Sequence, residues 1–289
     1  MRTDASRKQS FIIVGVVYLL ATALGVATYI LTRPLGAFWI RLLISDVAAT
    51  VLTFIFSLIF KNSSVYDPYW SVQPIVILIG LSVGQKLTPI KLFLLLTVLL
   101  WGTRLTANWA YTFKSMAHED WRYRMLREKT GRAYPLVNFV GIHMVPTLVV
   151  YLCTLPAAAV ILGSARGNFL GFVGIAVSLG GIVLQGLSDV QMHKFRKSGR
   201  GGFIREGLWK NSRHPNYLGE ILMWWGVGIC AVSVLGMNFA YLFAGALANT
   251  MLFAFVSIPL AEGKQAKKEG YAEYRAATRA LFPIAKHKK

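Results

Sequence analysis

The stretch NFLGFVGIAVSLGGIVLQGLSDVQ, residues 168–191, decides the fold class. From Gly167 to Ser188 no side chain carries a charge. As an α-helix that run is about 33 Å long, enough to cross a hydrocarbon core of about 30 Å. Comparable apolar runs lie at about 10–31, 36–60, 65–84, 91–111, 138–163, 217–235 and 238–260. Composition agrees: 55% of the 289 residues are apolar and 15% charged, with a mean hydropathy of +0.51, whereas soluble domains carry about 25% charge. The expected fold is an all-α integral membrane protein, one membrane domain over 1–289, with a bundle of about seven to eight transmembrane helices. The run at 65–84 is interrupted at its start by Asp67 and Pro68. A soluble globule and a disordered chain are excluded. So is a disulfide framework, because Cys153 and Cys230 both sit inside apolar runs. The first run is full length and no small-residue cleavage site follows it, so no cleavable signal peptide is expected.

The basic residues set the expected orientation. Of 31 Lys and Arg, 25 fall in the N-terminal tail, the loops after the second, fourth and sixth runs, and the C-terminal tail. The other side holds four, Arg33, Lys86, Lys91 and Arg166, while Arg41 and Arg104 lie within runs. Such a split is what the positive-inside rule produces, so both termini are expected in the cytoplasm. The net charge of +19 is thus mainly a topology signal, with some attraction to anionic lipid or an anionic cofactor, and calls for no nucleic-acid partner.

Ionisable groups inside spans are costly, so each is a functional candidate, with an internal ion pair as the alternative. Arg41 and Asp46 lie in the second run, and Arg104, in the fourth, is expected to pair with a carboxylate or to touch substrate. The run Tyr66-Asp67-Pro68-Tyr69-Trp70 gathers a carboxylate and two phenols at a helix start. These groups can orient a ligand carbonyl; equally, the aromatics can form an interfacial belt and Asp67 can cap a helix. His143, alone in a span, reads as a hydrogen-bonded packing residue. No HExxH, His-rich box or Cys pair is present, so no metal site is expected.

The strongest signal spans Gln185 to Glu220. Asp189 and Arg196 are seven apart and share one helix face. A carboxylate there can accept from a ribose hydroxyl, and Arg196, Arg200 and Arg213 can clamp phosphates. Gly199, Gly201 and Gly202 let backbone amides approach an anion. His214, Pro215, Asn216, Tyr217 and Glu220 then open the next apolar run, with Asn216 and Glu220 at i, i+4. Gly226-Val227-Gly228 begins a formal dinucleotide fingerprint, but inside a span with no strand before it, so it is read as chance.

Ser-Arg-His-Pro-Asn-Tyr-Leu-Gly-Glu at 212–220, preceded by the Asp189…Arg196 spacing, resembles the C-terminal domain of the steroid 5-alpha-reductase superfamily, and within it the DUF1295 branch. The tail from Glu262 through Tyr271 and Tyr274 to Pro283 and the Asp67–Trp70 segment are similar too, so the resemblance covers roughly 60–285. It implies a membrane enzyme that binds NADPH from the cytoplasmic side, at 185–285, and reduces an activated carbon–carbon double bond of an apolar, lipid-like substrate, in a bacterial inner membrane or the endoplasmic reticulum. Carried over, it implies that Gln185, Asp189, Arg196 and Asn216 contact the cofactor and that Tyr271 and Tyr274 cover it. The steroid reductases orient the carbonyl with a Glu and a Tyr; here the Glu position resembles Asp67 and the Tyr position is Trp101. Indole donates a hydrogen bond but cannot pass on a proton as phenol does. Steroid is therefore not the expected substrate, and Tyr66, Tyr69 or Tyr111 is left to supply the acid. The Arg-His-Pro-x-Tyr core is also similar to membrane isoprenylcysteine carboxyl methyltransferases, which use S-adenosylmethionine. A non-catalytic lipid-binding protein would need only the polar cavity.

Overall fold

The computed structural model describes residues 5–164 and 166–283. Arg2, Lys286, Lys288 and Lys289, four of the basic tail residues that set the expected orientation, lie outside the described residues. Among those described there is no strand. The α-helices are α1 (Arg7–Leu31), α2 (Phe38–Ile59), α3 (Tyr69–Ser82), α4 (Pro89–Thr112), α5 (Trp121–Thr130), α6 (Tyr134–Val137), α7 (Val145–Leu162), α8 (Phe169–Lys197), α9 (Leu208–Asn211), α10 (Pro215–Leu235), α11 (Ala244–Leu252), α12 (Ile258–Gln265) and α13 (Tyr271–Ala277). Local chemistry starts and stops them. Ser6 and Gln9 close a capping box on α1, and the Asn168 side chain accepts from Gly171 N at 2.7 Å to start α8. Pro215 occupies the first turn of α10, which ends at Gly236 with φ +104°, a backbone open to glycine alone.

Seven helical stretches are long and apolar enough to cross a membrane: α1, α2, α4, the continuous run Trp121–Leu162, α8, α10 and the continuous run Met237–Gln265. The protein therefore has the fold of an integral all-α membrane protein. Leu19, Leu31 and Phe169 stand out from these helices with most of their surface exposed, as lipid-facing residues do. The run at 65–84 is not among these seven: its helix α3 has 14 residues, about 21 Å, shorter than a core of about 30 Å. Residues 63–66 are spent on a 3₁₀ turn before it, and Gly84, at φ +76°, follows its end.

The chain divides into two compact units, one from Met1–Val83 with Trp101–Leu155, the other from Gly84–Leu100 with Pro156–Lys289. In the first, α1 packs on α2, with Ser45 Oγ donating to Gly25 O across the pair at 2.6 Å. A π-helical turn at Asn138–Met144 leads into α7. In the second, α8 packs along α10.

Candidate functional site

In the second unit, glycines bring α8 and α10 to backbone contact. A Cβ on Gly181 would fall 2.5 Å from Gly219 O, and one on Gly226 would fall 2.4 Å from Gly174 O. Gly174 and Gly181, like Gly219 and Gly226, are seven apart and so recur on one helix face, the small-residue seam of membrane helix pairs. Gly226 belongs to this seam and Gly228 lies against the Phe243 ring, so the formal fingerprint is packing. Ser178 Oγ locks the seam by donating to Met223 O at 2.8 Å. One turn beyond Gly181, Gln185 Nε2 donates to Glu220 Oε2 at 2.7 Å. Trp224 Nε1 donates to the other oxygen at 2.9 Å. This buried carboxyl is thus met on both sides by neutral donors. One turn outward, Asn216 Oδ1 is buried without a hydrogen-bond partner.

α8 runs unbroken to Lys197, so half-buried Asp189 and exposed Arg196 share one helix face. Arg200 pairs with Glu206 at 2.6 Å in an exposed contact. Gly199 and Gly202 take left-handed backbone, whereas Gly201 does not. Arg213 is placed differently from a phosphate clamp. Its guanidinium is buried and bonded to Glu262 at 2.7 Å and to the carbonyls of Arg275 and Thr278. Glu262 also meets Arg275 at 3.0 Å and His214 Nε2 at 3.3 Å. Burial lowers the His214 pKa, and Glu262 only partly opposes it. The His214 ring stacks on Tyr217 at 5.0 Å. Tyr271 and Tyr274 both pack on Phe203, at 5.1 Å each, and Tyr274 donates to Trp209 O. The tail thereby clasps the α8–α10 loop, a clasp continued by the bonds from Arg213 N to Arg279 O and from His214 N to Ala280 O, both 3.0 Å.

The first unit holds a second polar interior. The Tyr66 and Tyr69 rings lie 5.3 Å apart, but their hydroxyls part. Tyr66 meets Thr147 Oγ1 at 2.7 Å, and Tyr69 donates to Asp46 Oδ1 at 3.3 Å. The carboxylate between them in sequence turns to neither. Asp67 accepts from Tyr123 at 2.5 Å and lies 3.9 Å from the Arg122 guanidinium. Successive residues of a helical turn point about 100° apart, which is why Asp67 faces α5 while the phenols face α2 and α7. Burial pushes its carboxyl up to about 6, opposed by Arg122 and Tyr123. Asp67 is no helix cap, for α3 is preceded by Pro68 and has no side-chain cap bond. Trp101 is fully buried, its ring 6.1 Å from Trp70. Tyr111 is exposed at the end of α4. His143 Nδ1 bonds Asn138 O at 3.0 Å, the packing role expected for it, while its Nε2 has no partner.

Sequence reasoning missed Tyr123, Thr147, Trp224 and the pairing role of Glu262. Tyr123 and Thr147 lie 56 and 81 residues from their partners, and no spacing rule reaches that far. Trp224, four residues after Glu220, had a usable signal.

Residues 53–278 match the family described as a protein of unknown function, DUF1295. The chain is also 29% identical, over 230 residues, to an uncharacterized protein of the yeast Schizosaccharomyces pombe. That match covers 68% of this chain, and the chain spans 64% of the relative's length. No solved structure matches it.

Proposed function

We propose, for a chain that belongs to the DUF1295 family, NADPH-dependent reduction of the carbon–carbon double bond of an α,β-unsaturated carbonyl in a lipid-like substrate. The observation that carries this reading is the buried, unpartnered Asn216 Oδ1, one turn outside the Gln185–Glu220–Trp224 group, with Asp189 and Arg196 on the exposed end of the facing helix. A neutral polar interior leading to a cationic exterior suits a ligand with an uncharged ring at one end and phosphates at the other. Asn216 accepts from the ligand, Asp189 accepts a ribose hydroxyl, and Arg196 meets phosphate. Arg200 joins it, since its pair with Glu206 is exposed, and water and salt screen such pairs until little holds them. Arg213 stays on Glu262 and positions the loop. NADPH, when bound, supplies the hydride.

Reduction also needs a proton, and within the first unit the group suited to supply one is the Tyr69 phenol. Tyr69 and Asp46 are almost fully buried, and the single phenol hydrogen, given to Asp46 in the structure, can turn to a carbonyl oxygen that gains charge. Asp46→Asn should then lower turnover about tenfold or more, within the usual range for acid–base groups, while Asp67→Asn, beside the partly exposed Arg122, should lower it less. The reverse order in steady-state rates would move the acid to Tyr123 and Asp67.

Both termini and the cofactor site are assigned to the cytoplasm, in a bacterial inner membrane or the endoplasmic reticulum. Seven crossings alone would leave the termini on opposite sides. This assignment therefore requires α3 to cross as well, with local bilayer thinning to match about 21 Å. Terminal reporter tags on opposite sides would end it. The cofactor is tested directly by thermal unfolding of the purified full chain with NADPH or with S-adenosylmethionine, since a ligand that binds the folded state stabilises it by mass action. NADPH is expected to raise the midpoint and S-adenosylmethionine is not; the opposite result would replace the reductase with a methyltransferase.

A further inference from the structure

The polar face of α10 continues past Glu220. Asn216, Glu220 and Trp224 follow at intervals of four, and Trp225 Nε1 donates to Thr250 Oγ1 at 3.0 Å, which brings α11 alongside. Thr250 is fully used, since its hydroxyl also donates to Ala246 O at 2.7 Å. Its neighbour Asn249 is not. Asn249 is 5% exposed, and its Nδ2 is buried with no hydrogen-bond partner. An amide donor left unpaired in an apolar helix is costly, and polar groups at membrane depth mark ligand sites by default. Leucine, of nearly the same shape, would pack there without that cost.

The level of Trp225 is about 13 Å inside Asn216 along α10. The second unit thus presents an unpaired acceptor in the first turn of α10, Asn216 Oδ1, and an unpaired donor on the helix that meets α10 further along, Asn249 Nδ2. A group that fits Asn249 must offer an acceptor oxygen and carry no negative charge, because a carboxylate is costly to bury beside apolar helices. A neutral carboxamide meets both demands.

We propose that Asn249 is a binding residue for the nicotinamide end of the dinucleotide, its Nδ2–H donating to the carboxamide oxygen. This rests on the reductase reading. It also explains why an unsatisfied amide persists in α11: residues kept for binding often cost stability in the empty protein.

The test compares NADPH with 2′-phospho-ADP-ribose, which keeps the phosphates and lacks the nicotinamide, on the purified full chain in detergent. Wild type should bind NADPH more tightly than 2′-phospho-ADP-ribose. In Asn249→Leu that preference should shrink by roughly 5-fold, the size of one hydrogen bond. Affinity for 2′-phospho-ADP-ribose should not change, and the unliganded unfolding midpoint should be equal or higher. Asn249→Ala serves as a second variant should Leu crowd the helix, with the same loss of NADPH preference expected. An NADPH preference kept in full by Asn249→Leu, or by Asn249→Ala where the Leu variant unfolds earlier, overturns the inference and makes Asn249 structural. Equal wild-type binding of both nucleotides overturns it too but leaves the dinucleotide reading standing, whereas wild-type binding of neither removes that reading and the inference with it.

Discussion

Glu220 and Glu262 belong to the same unit and are buried alike, each 5% exposed, yet their surroundings are opposite in kind. Glu220, in the α8–α10 seam, is met by an amide and an indole. Glu262, in the clasp of tail on loop, is met by two guanidinium groups and an imidazole. Burial alone therefore does not say what a carboxyl is for. In the seam neutral donors surround the carboxyl, and Asn216 Oδ1, one turn away, is buried unpaired, which is what the proposed ligand would require. The clasp spends its charges on itself. Its arginine was legible in sequence as a phosphate clamp only because sequence does not show that a glutamate 49 residues later already holds it.

The comparison breaks most visibly through its carboxyls. Glu262→Gln would leave the Arg213 guanidinium buried without an anion, at a cost of about 3–5 kcal/mol. Glu220→Gln exchanges the carboxyl for an amide of the same shape. The new amide can still accept from Trp224, and Gln185 can turn its own oxygen toward it, so the cost should stay near 1 kcal/mol. Denaturant or thermal unfolding of the two purified variants measures the difference. Equal losses would mean that the neutral shell of Glu220 is as structural as the clasp.

A smaller effect tests the seam itself. Gly181→Ala would place its methyl 2.5 Å from Gly219 O and 2.8 Å from Met223 N, both backbone atoms of a packed helix. The helices must then separate, costing about 1–3 kcal/mol, and Gln185 should be drawn off Glu220 with loss of NADPH-dependent stabilisation. The adjacent Gly180→Ala is the control. Nothing lies within 4 Å of its added carbon, so it should be neutral or stabilising by up to about 1 kcal/mol, as alanine is over glycine inside a helix. If both variants behave alike, close approach at Gly181 is not what positions the site.

Helices were legible wherever length and apolarity spoke together, as in α8, whose unbroken run to Lys197 put Asp189 and Arg196 on one face. They were overestimated in length where apolarity spoke alone. Residues 65–84 are apolar throughout most of their run, but the 3₁₀ turn, Asp67 and Pro68 take the first of them and leave α3 with 14. The seven-residue spacing of Gly174 with Gly181 and of Gly219 with Gly226 was in plain view and would have predicted the seam. Pairings were not legible. Tyr66, Asp67 and Tyr69 look like one catalytic triplet in sequence, yet helical rotation sends them to Thr147, Tyr123 and Asp46. Long-range partners are chosen by packing, and one chain read linearly carries no record of that choice.

The smallest effect concerns acidity, and in the second unit it is expected from the clasp. Burial lowers the His214 pKa below its ordinary value even though Glu262 lies 3.3 Å away. The unfolded imidazole takes up a proton near pH 6.5, and the folded one resists it. The unfolded state therefore binds more protons below that pH, so this residue's contribution to stability is present above about 6.5 and is lost as the pH falls through the folded value. Asp67 acts with the opposite sign. Its carboxyl is raised from 3.8 to about 6, so the folded state takes up its proton first and gains relative stability as the pH falls from about 6 toward 4. The wild-type curve mixes the two, and a difference measurement separates them. His214→Gln keeps a donor for Glu262 but does not titrate, so the unfolding midpoint of the variant should gain on wild type as the pH is lowered from 7.5 to 5. Gly180→Ala, which leaves His214 in place and changes no titrating group, should track the wild-type profile over that range. A His214→Gln variant that instead loses on wild type as the pH falls would mean that the imidazole is protonated in the fold and belongs with Arg213 and Arg275 as a third cation on Glu262.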